Sequence, residues 1–358
     1  MDGQNDKLQK LEEAMKAFNV FGQWQVGANR PENVVTGPNG QRIVEPLPSG
    51  VPHIWPWKDL YPFLASSREA LTDSFTARRS LILTNPGLGR GTTQTILAGI
   101  QSIGPGEIAW AHRHTVTALR FCIEGNRRVF TVVDGDALIM EPYDLILTPG
   151  QCWHDHHNES DQPAAWLDVL DVPLLLALNQ NFYEELGPAT QEQNDSQAPT
   201  SPHLRPAWKT TNTSSVGAYR YPWAETRAQL DAMADGDTSP YDGVALEYTN
   251  AQGGPTLKTL SCWVQLLPPG FKGKPHRHSS SAVYFVIGGE GRTVLDEQNM
   301  AWEKHDNFVI PNWTWHAHEN NSKTEPALLF SVNDTPLLQA FDFYREEPEN
   351  TLARNAHP

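Results

Sequence analysis

GEIAWAHRHTVTALRFCIEG, residues 106–125, and GFKGKPHRHSSSAVYFVIGG, residues 270–289, are two copies of one pattern. Each is followed about forty positions later by a Trp-His-x-His segment, WHDH at Trp153–His156 and WHAH at Trp315–His318. Side chains alternate along a strand with period two, so two histidines separated by one residue point to the same face. A third histidine from a partner strand completes a face of three nitrogens suited to a metal. Two such sets at matching offsets make chance a poor explanation.

The offset extends well beyond the histidines. His112 to His276 is 164 residues, His154 to His316 is 162, and Asp171 to Asp334 is 163. The duplication therefore covers whole domains. Within each copy the segments are short, alternate between apolar and polar, and are separated by turn signals such as VVDGD, the pattern of an all-β sandwich or barrel. Two double-stranded β-helix (jelly-roll) barrels of the cupin type, a bicupin, satisfy it, because closure leaves an interior where inward-facing polar residues meet a ligand. The expected domains are an N-terminal arm and helix over 1–66, a first, catalytic barrel over 67–186, a linker over 187–235 and a second barrel over 236–358. Leu8, Leu11, Met15 and Phe18 recur at helical spacing behind Asn5 and Asp6 as candidate caps. The stretches Asp171–Leu186 and Asp334–Glu347 each read as a closing helix with an aspartate cap and a proline in the first turn.

Composition bounds the partners. At 358 residues the chain suits two domains that each bury a core, and its 28 prolines, 26 glycines and 12 tryptophans favour short strands and turns. A net charge of −15 argues against nucleic acid, which requires basic patches. Cys122, Cys152 and Cys262 are odd in number and widely spaced, so no disulfide framework is expected. The N-terminus has no apolar signal-like region, and no segment approaches eighteen apolar residues. A reduced cytoplasmic location and no membrane partner are the expectations.

Each half resembles the cupin signature. Gly106 and Gly270 stand six positions before His112 and His276, and the spacing after His114 and His278 reaches Gly125 and Gly289. The glutamate ligand usual after the second histidine is replaced by Ala118 and Ala282. Three neutral imidazoles then leave a divalent metal with its full charge and open positions for a chelating anion plus dioxygen. Such ligands admit iron, zinc, copper or nickel. The candidate ligands are His112, His114 and His154, with His276, His278 and His316 as a possible second set or a purely structural remnant. Arg120 shares parity with His112 and His114, so it points into the barrel, where a guanidinium needs an anionic partner, either a substrate or an internal carboxylate. The second copy carries Tyr284 instead. The first barrel is thus the expected chemical site.

Over nearly its whole length the chain resembles the gentisate/salicylate 1,2-dioxygenase family of bicupin ring-cleaving enzymes. The resemblance is carried by VPHIWPW (Val51–Trp57), RRSLILTNPGL (Arg78–Leu88), LAGIQ (Leu97–Gln101), AHRHTVTALRF (Ala111–Phe121), WHDHHN (Trp153–Asn158), WLDVLDVPL (Trp166–Leu174), YPWAETRAQL (Tyr221–Leu230) and GGPTLKTL (Gly253–Leu260). It implies non-haem Fe(II) on His112, His114 and His154. It also implies that Arg78, Gln101, Arg120 and His156 contact a bound aromatic hydroxy acid, with Asp168 nearby, and that the assembly is a homotetramer. Leu97, Thr117 and Val169 depart from common family choices and are expected to line the region that receives the rest of the ring.

The expected reaction opens a 2-hydroxybenzoate between its carboxyl- and hydroxyl-bearing carbons with O₂. Arg120 and Arg78 would hold the carboxylate, and His156 would handle protons. Gentisate is the leading substrate. Salicylate, a 5-substituted salicylate such as 5-nitrosalicylate, and 1-hydroxy-2-naphthoate are the alternatives. A non-catalytic ligand-binding cupin and a zinc isomerase are the readings from other classes.

Overall fold

A computed structural model describes residues 2–20, 22, 34–37, 39–71, 79–194, 219–234, 236, 238–295 and 298–348. Met1–Leu47 forms a small unit by itself. It holds the helix Asp2–Lys16 and a hairpin pairing Val34–Thr36 with Arg42–Val44. The helix begins before the expected caps, so Asn5 and Asp6 lie inside it. Asp6 accepts a bond from Lys10 Nζ at 2.7 Å, the i,i+4 ion pair of a helix surface.

The larger unit, Pro48–Pro358, contains two barrels, each made of a six-stranded and a five-stranded antiparallel sheet. In the first, the six-stranded sheet includes Leu97–Ile103, Ala118–Glu124, Leu145–Thr148 and Ala164–Leu170, and the five-stranded sheet includes Ile108–His114, Asn126–Val133 and His154–Asn158. The second barrel repeats this with Ser261–Leu267, Ala282–Gly288, Asn307–Ile310 and Ala327–Asn333 opposite His276–His278, Glu290–Leu295 and His316–Asn320. The fold is a bicupin, mostly β, as the repeat requires.

Strand parity divides the apolar side chains between two environments. Leu119, Phe121 and Ile123 point away from the first barrel's interior, into a core that also contains Phe285, Phe330 and Val332 of the second. Phe121 and Phe330 stack there with centroids 3.9 Å apart and planes 11° from parallel. The alternate residues fill the barrels: Ile103, Cys122, Met140, Ile146 and Trp166 in the first, and Tyr284, Trp302, Phe308 and Leu329 in the second.

The segments preceding the barrels are exchanged between them. His53–Trp55, ahead of the first barrel in sequence, pairs with Asn307–Ile310 of the second. Tyr219–Tyr221, ahead of the second, pairs with Leu145–Thr148 of the first. Each arm continues through a proline into a helix, Trp57–Ala70 or Trp223–Met233. The first N–H of each helix donates to a buried aspartate on the other half: Trp57 to Asp306 Oδ1 and Trp223 to Asp144 Oδ1, both at 2.8 Å. Such bonds satisfy donors that a helix start leaves without internal partners.

The two closing helices are shorter than expected, Val172–Ala177 and Thr335–Ala340. After each, the chain returns as an edge strand, Tyr183–Glu185 against His112–His114 and Glu346–Pro348 against His276–His278. Asp171 and Asp334 stand at the capping positions without a side-chain cap bond. Their carboxylates instead accept the backbone N–H of Thr117 and of Ser281. No helix among the described residues is long and apolar enough to cross a membrane. The three cysteines are free thiols.

Candidate metal centre

His112 and His154 are direct partners across the antiparallel ladder, and His114 follows His112 on the same face. Ring centroids lie 4.1 Å apart for His112–His154, 4.8 Å for His114–His154 and 5.4 Å for His112–His114. One nitrogen from each ring falls within 4.8 Å of the others. Every Nδ1 of the set is turned toward a backbone carbonyl: His112 to Trp110 at 2.8 Å, His114 to Val116 at 2.8 Å and His154 to Cys152 at 3.0 Å. A carbonyl only accepts, so each Nδ1 carries the proton and each Nε2 keeps a lone pair. This arrangement is the usual one for imidazoles that ligate a metal.

The fit to a cation rests on His154. Its Nε2 is buried and has no hydrogen-bond partner among the described residues. Burial, followed by the neighbouring His112, Arg120 and His114, pushes its pKa well below the ordinary histidine value. A neutral ring whose lone pair meets neither water nor a donor is costly in the interior unless something positive accepts it. A divalent cation would supply that partner.

Around the triad the first barrel is polar at a few points and apolar elsewhere. Arg120, 2% exposed, donates from Nη1 to Thr148 Oγ1 at 2.5 Å, and its Nε lies 3.7 Å from Asp168 Oδ1. The internal carboxylate expected as one partner for Arg120 is therefore Asp168. His156 sits on the same strand face as His154, with Nδ1 2.8 Å from Thr131 Oγ1 and its ring 5.3 Å from Trp166. Gln101 is buried on the inward face that also carries Ile103. Thus His112, His114, His154, His156, Arg120, Asp168 and Gln101 all belong to the lining of one barrel. Arg78 lies outside the described residues. Val169 departs from expectation: it is buried in the core shared by the barrels, on the face opposite Asp168, because neighbouring residues on a strand point to opposite sides.

Three lining residues escaped the sequence reading. Thr131 holds His156, and the duplication carried a usable signal, since Thr293 holds His318 in the same way at 3.0 Å. Thr148 has no polar counterpart; Ile310 takes its place. Tyr183 stacks on His112 with centroids 5.5 Å apart, from an edge strand in the stretch whose sequence predicts a helix.

The second triad repeats the first. His276, His278 and His316 turn Nδ1 toward the carbonyls of Lys274, Ser280 and Thr314 at 3.4, 2.8 and 2.9 Å, and their ligand atoms again lie within 4.8 Å. The surrounding space differs. Tyr284 stands where Arg120 does and stacks on Phe308 at 4.7 Å and 4°, while Trp302 takes the place of Met140 and donates to Thr293 Oγ1 at 3.1 Å. Large rings stand at three positions where the first barrel has Arg120, Ile146 and Met140, while Leu329 stands where the first barrel has Trp166. Burial lowers the His278 pKa to about 4 and that of His318 to about 3.

Two segments, residues 99–170 and 263–333, match the Cupin domain family. The chain is 46% identical to a 1-hydroxy-2-naphthoate 1,2-dioxygenase of Nocardioides sp. (strain KP7), over 87% of this chain and 82% of that protein. It is 40% identical to a 5-aminosalicylate 1,2-dioxygenase of Comamonas sp, over 85% and 83%. Among solved structures it matches salicylate 1,2-dioxygenase from Pseudoaminobacter salicylatoxidans in adducts with gentisate. The TM-score is 0.82 and the identity 31%, covering 96% of this chain and 94% of the other.

Proposed function

The chain belongs to the gentisate/salicylate 1,2-dioxygenase family of bicupin ring-cleaving enzymes, and on that premise we propose the following assignment of its chemistry. The protein is a dioxygenase that opens a 2-hydroxybenzoate between the carboxyl- and hydroxyl-bearing carbons. Fe(II) is held by His112, His114 and His154. The observation that carries this reading is the buried, partnerless Nε2 of His154 inside a set of Nδ1-anchored imidazoles, a few residues along the lining from Arg120.

Bound Fe(II) supplies the one-electron chemistry that lets a closed-shell ring react with O₂, and it neutralises developing negative charge. The remaining work falls to the side chains. Arg120 binds the substrate carboxylate, while Thr148 and Asp168 fix the plane of its guanidinium beforehand, so little rotamer freedom is lost on binding. Gln101 contributes an amide to the same wall. Arg78 joins Arg120 on the carboxylate. His156 takes or returns a proton at Nε2, while its Nδ1–H donates to Thr131 Oγ1 in both states and the Thr131 hydroxyl donates to Met140 Sδ. Met140, Ile146 and Trp166 keep water from the reacting face.

Gentisate is the first candidate within this substrate class. The 46% identity to the Nocardioides enzyme favours 1-hydroxy-2-naphthoate as a second reading. Comparing kcat/KM for gentisate, salicylate, 5-nitrosalicylate and 1-hydroxy-2-naphthoate under one iron and oxygen condition decides between them. Gentisate ranking below any of the others overturns the first choice.

His276, His278 and His316 hold a second metal without cleaving rings, since Tyr284 offers no cation and the Tyr284–Phe308 stack fills the interior. We assign the domain limits 67–186 and 236–358 to the barrels, with 1–66 and 187–235 as the arm and the linker. We also assign a cytoplasmic homotetramer, checked by light scattering of the purified protein.

A further inference from the structure

Three candidates stand out beyond the ring-cleaving site. The pocket beside Tyr219 and Tyr248 is lined by two carboxylates, Glu225 and Glu247, and Glu247 already accepts the Ser261 hydroxyl. The guanidinium of Arg277 packed on Trp313 and Trp315 reads as structural. The third candidate is a pair of hydrogen-bond chains that run between the barrels, and it carries an inference.

Asp171 is 2% exposed, and its Oδ1 accepts the N–H of Thr117 at 2.8 Å. That N–H belongs to the same peptide unit as the Val116 carbonyl, which accepts Nδ1–H of His114 at 2.8 Å. A carboxylate is thus joined to a metal-ligand imidazole through one peptide bond. The other carboxylate oxygen, Oδ2, accepts the hydroxyl of Thr259, a residue of the second half, at 2.7 Å. The second barrel has the same chain, with Ser280 Oγ as an added contact 2.9 Å from His278 Nδ1 and the Ser281 hydroxyl as an added donor to Asp334 Oδ2. Thr95 of the first half donates to Asp334 Oδ2 at 2.5 Å, Asp334 Oδ1 accepts Ser281 N–H at 2.8 Å, and the Ser280 carbonyl of that peptide accepts His278 Nδ1–H at 2.8 Å.

We propose that Thr259 and Asp171 are positioning residues for His114, acting through the Val116–Thr117 peptide, and that Thr95 and Asp334 serve His278 in the same way. Each barrel's second histidine is set by a hydroxyl from the other barrel. Carboxylates that hydrogen-bond ligand histidines fix the ring and raise its basicity. Here the peptide stands between them, and hydrogen bonds in a chain polarise one another. Burial pushes both carboxyls above the usual aspartate range, and the threonine and backbone bonds oppose that push. Removing the threonine hydroxyl therefore weakens the charge at the head of the chain.

The inference rests on the first triad holding a metal, and the experiment separates the two claims. In a His276→Ala background, where only the first triad is complete, metal loss to a chelator is timed for the parent, Thr259→Val, Thr259→Ser and Thr95→Val. Amide exchange at Thr117 is measured in the same proteins without metal. Thr259→Val is expected to lose metal about tenfold faster, the lower end of what partners of ligating histidines contribute. The Thr117 amide should exchange faster in that variant. Thr259→Ser, which keeps the hydroxyl, and Thr95→Val, which serves the other triad, should match the parent in both. Thr259→Ala replaces the valine variant if that variant does not fold. Unchanged metal loss in Thr259→Val, or equal acceleration in Thr95→Val, overturns the proposal. A parent that holds no metal overturns the iron assignment instead, and the exchange of Thr117 then decides the proposal alone.

Discussion

Arg120 illustrates how a single residue separates two otherwise similar barrels. Its inward direction was legible from parity with His112 and His114, and its absence from the second copy was legible from Tyr284. Its anchors were not. Thr148 and Asp168 come from strands distant in sequence, and only the ladder that pairs Arg120 with Ile146 and Asp168 brings them alongside. Since Arg120 is not a metal ligand, Arg120→Leu should raise KM and lower kcat while leaving the iron content near that of the parent. A charge-assisted bond contributes roughly 1.5–3 kcal/mol, so kcat/KM should fall about ten- to a hundredfold. Steady-state kinetics beside metal analysis checks this, and unchanged kinetics would mean that another group holds the carboxylate.

At the scale of elements, the alternation of short strands and turns was readable because each barrel buries one strand face in its interior and the other against its neighbour. The closing helices stop short of their apolar pattern for a physical reason. Apolar residues after Asp171 and Asp334 match a helical period, but pairing with the edge of the His-x-His strand ends each helix after six residues. The first triad and its repeat were legible from spacing alone. What fills each barrel was less so, since the stack of Tyr284 on Phe308 depends on cross-strand register. From that packing, His276→Ala should lower the metal content and the melting temperature yet keep most ring cleavage, whereas His112→Ala should eliminate it. If both variants fold, keep iron in the other barrel and are inactive, the second site is catalytic as well.

On the scale of the whole molecule, the duplication announced two barrels but not how closely they are joined. Nothing in the spacing of VPHIWPW or YPWAETRAQL shows that each arm pairs with the other half; that follows from partners more than 70 residues away in sequence, such as Arg220 with Asp144. The shared core sets the same expectation for energetics. Phe330→Ala removes one ring of the Phe121–Phe330 stack and should destabilise the protein by about 3–5 kcal/mol. Denaturant unfolding followed by fluorescence and by circular dichroism should still show one transition, because both barrels lose the same contact. Two separated transitions would show that the barrels unfold independently.

The most direct test of the account is oxygen uptake by iron-loaded protein, recorded together with loss of the aromatic ring. The account predicts one O₂ consumed per ring opened for substrates with adjacent carboxyl and hydroxyl groups, no uptake with catechol, and loss of uptake on chelation that iron, but not zinc, restores. Ring opening of catechol, or turnover that survives complete removal of iron, would contradict it.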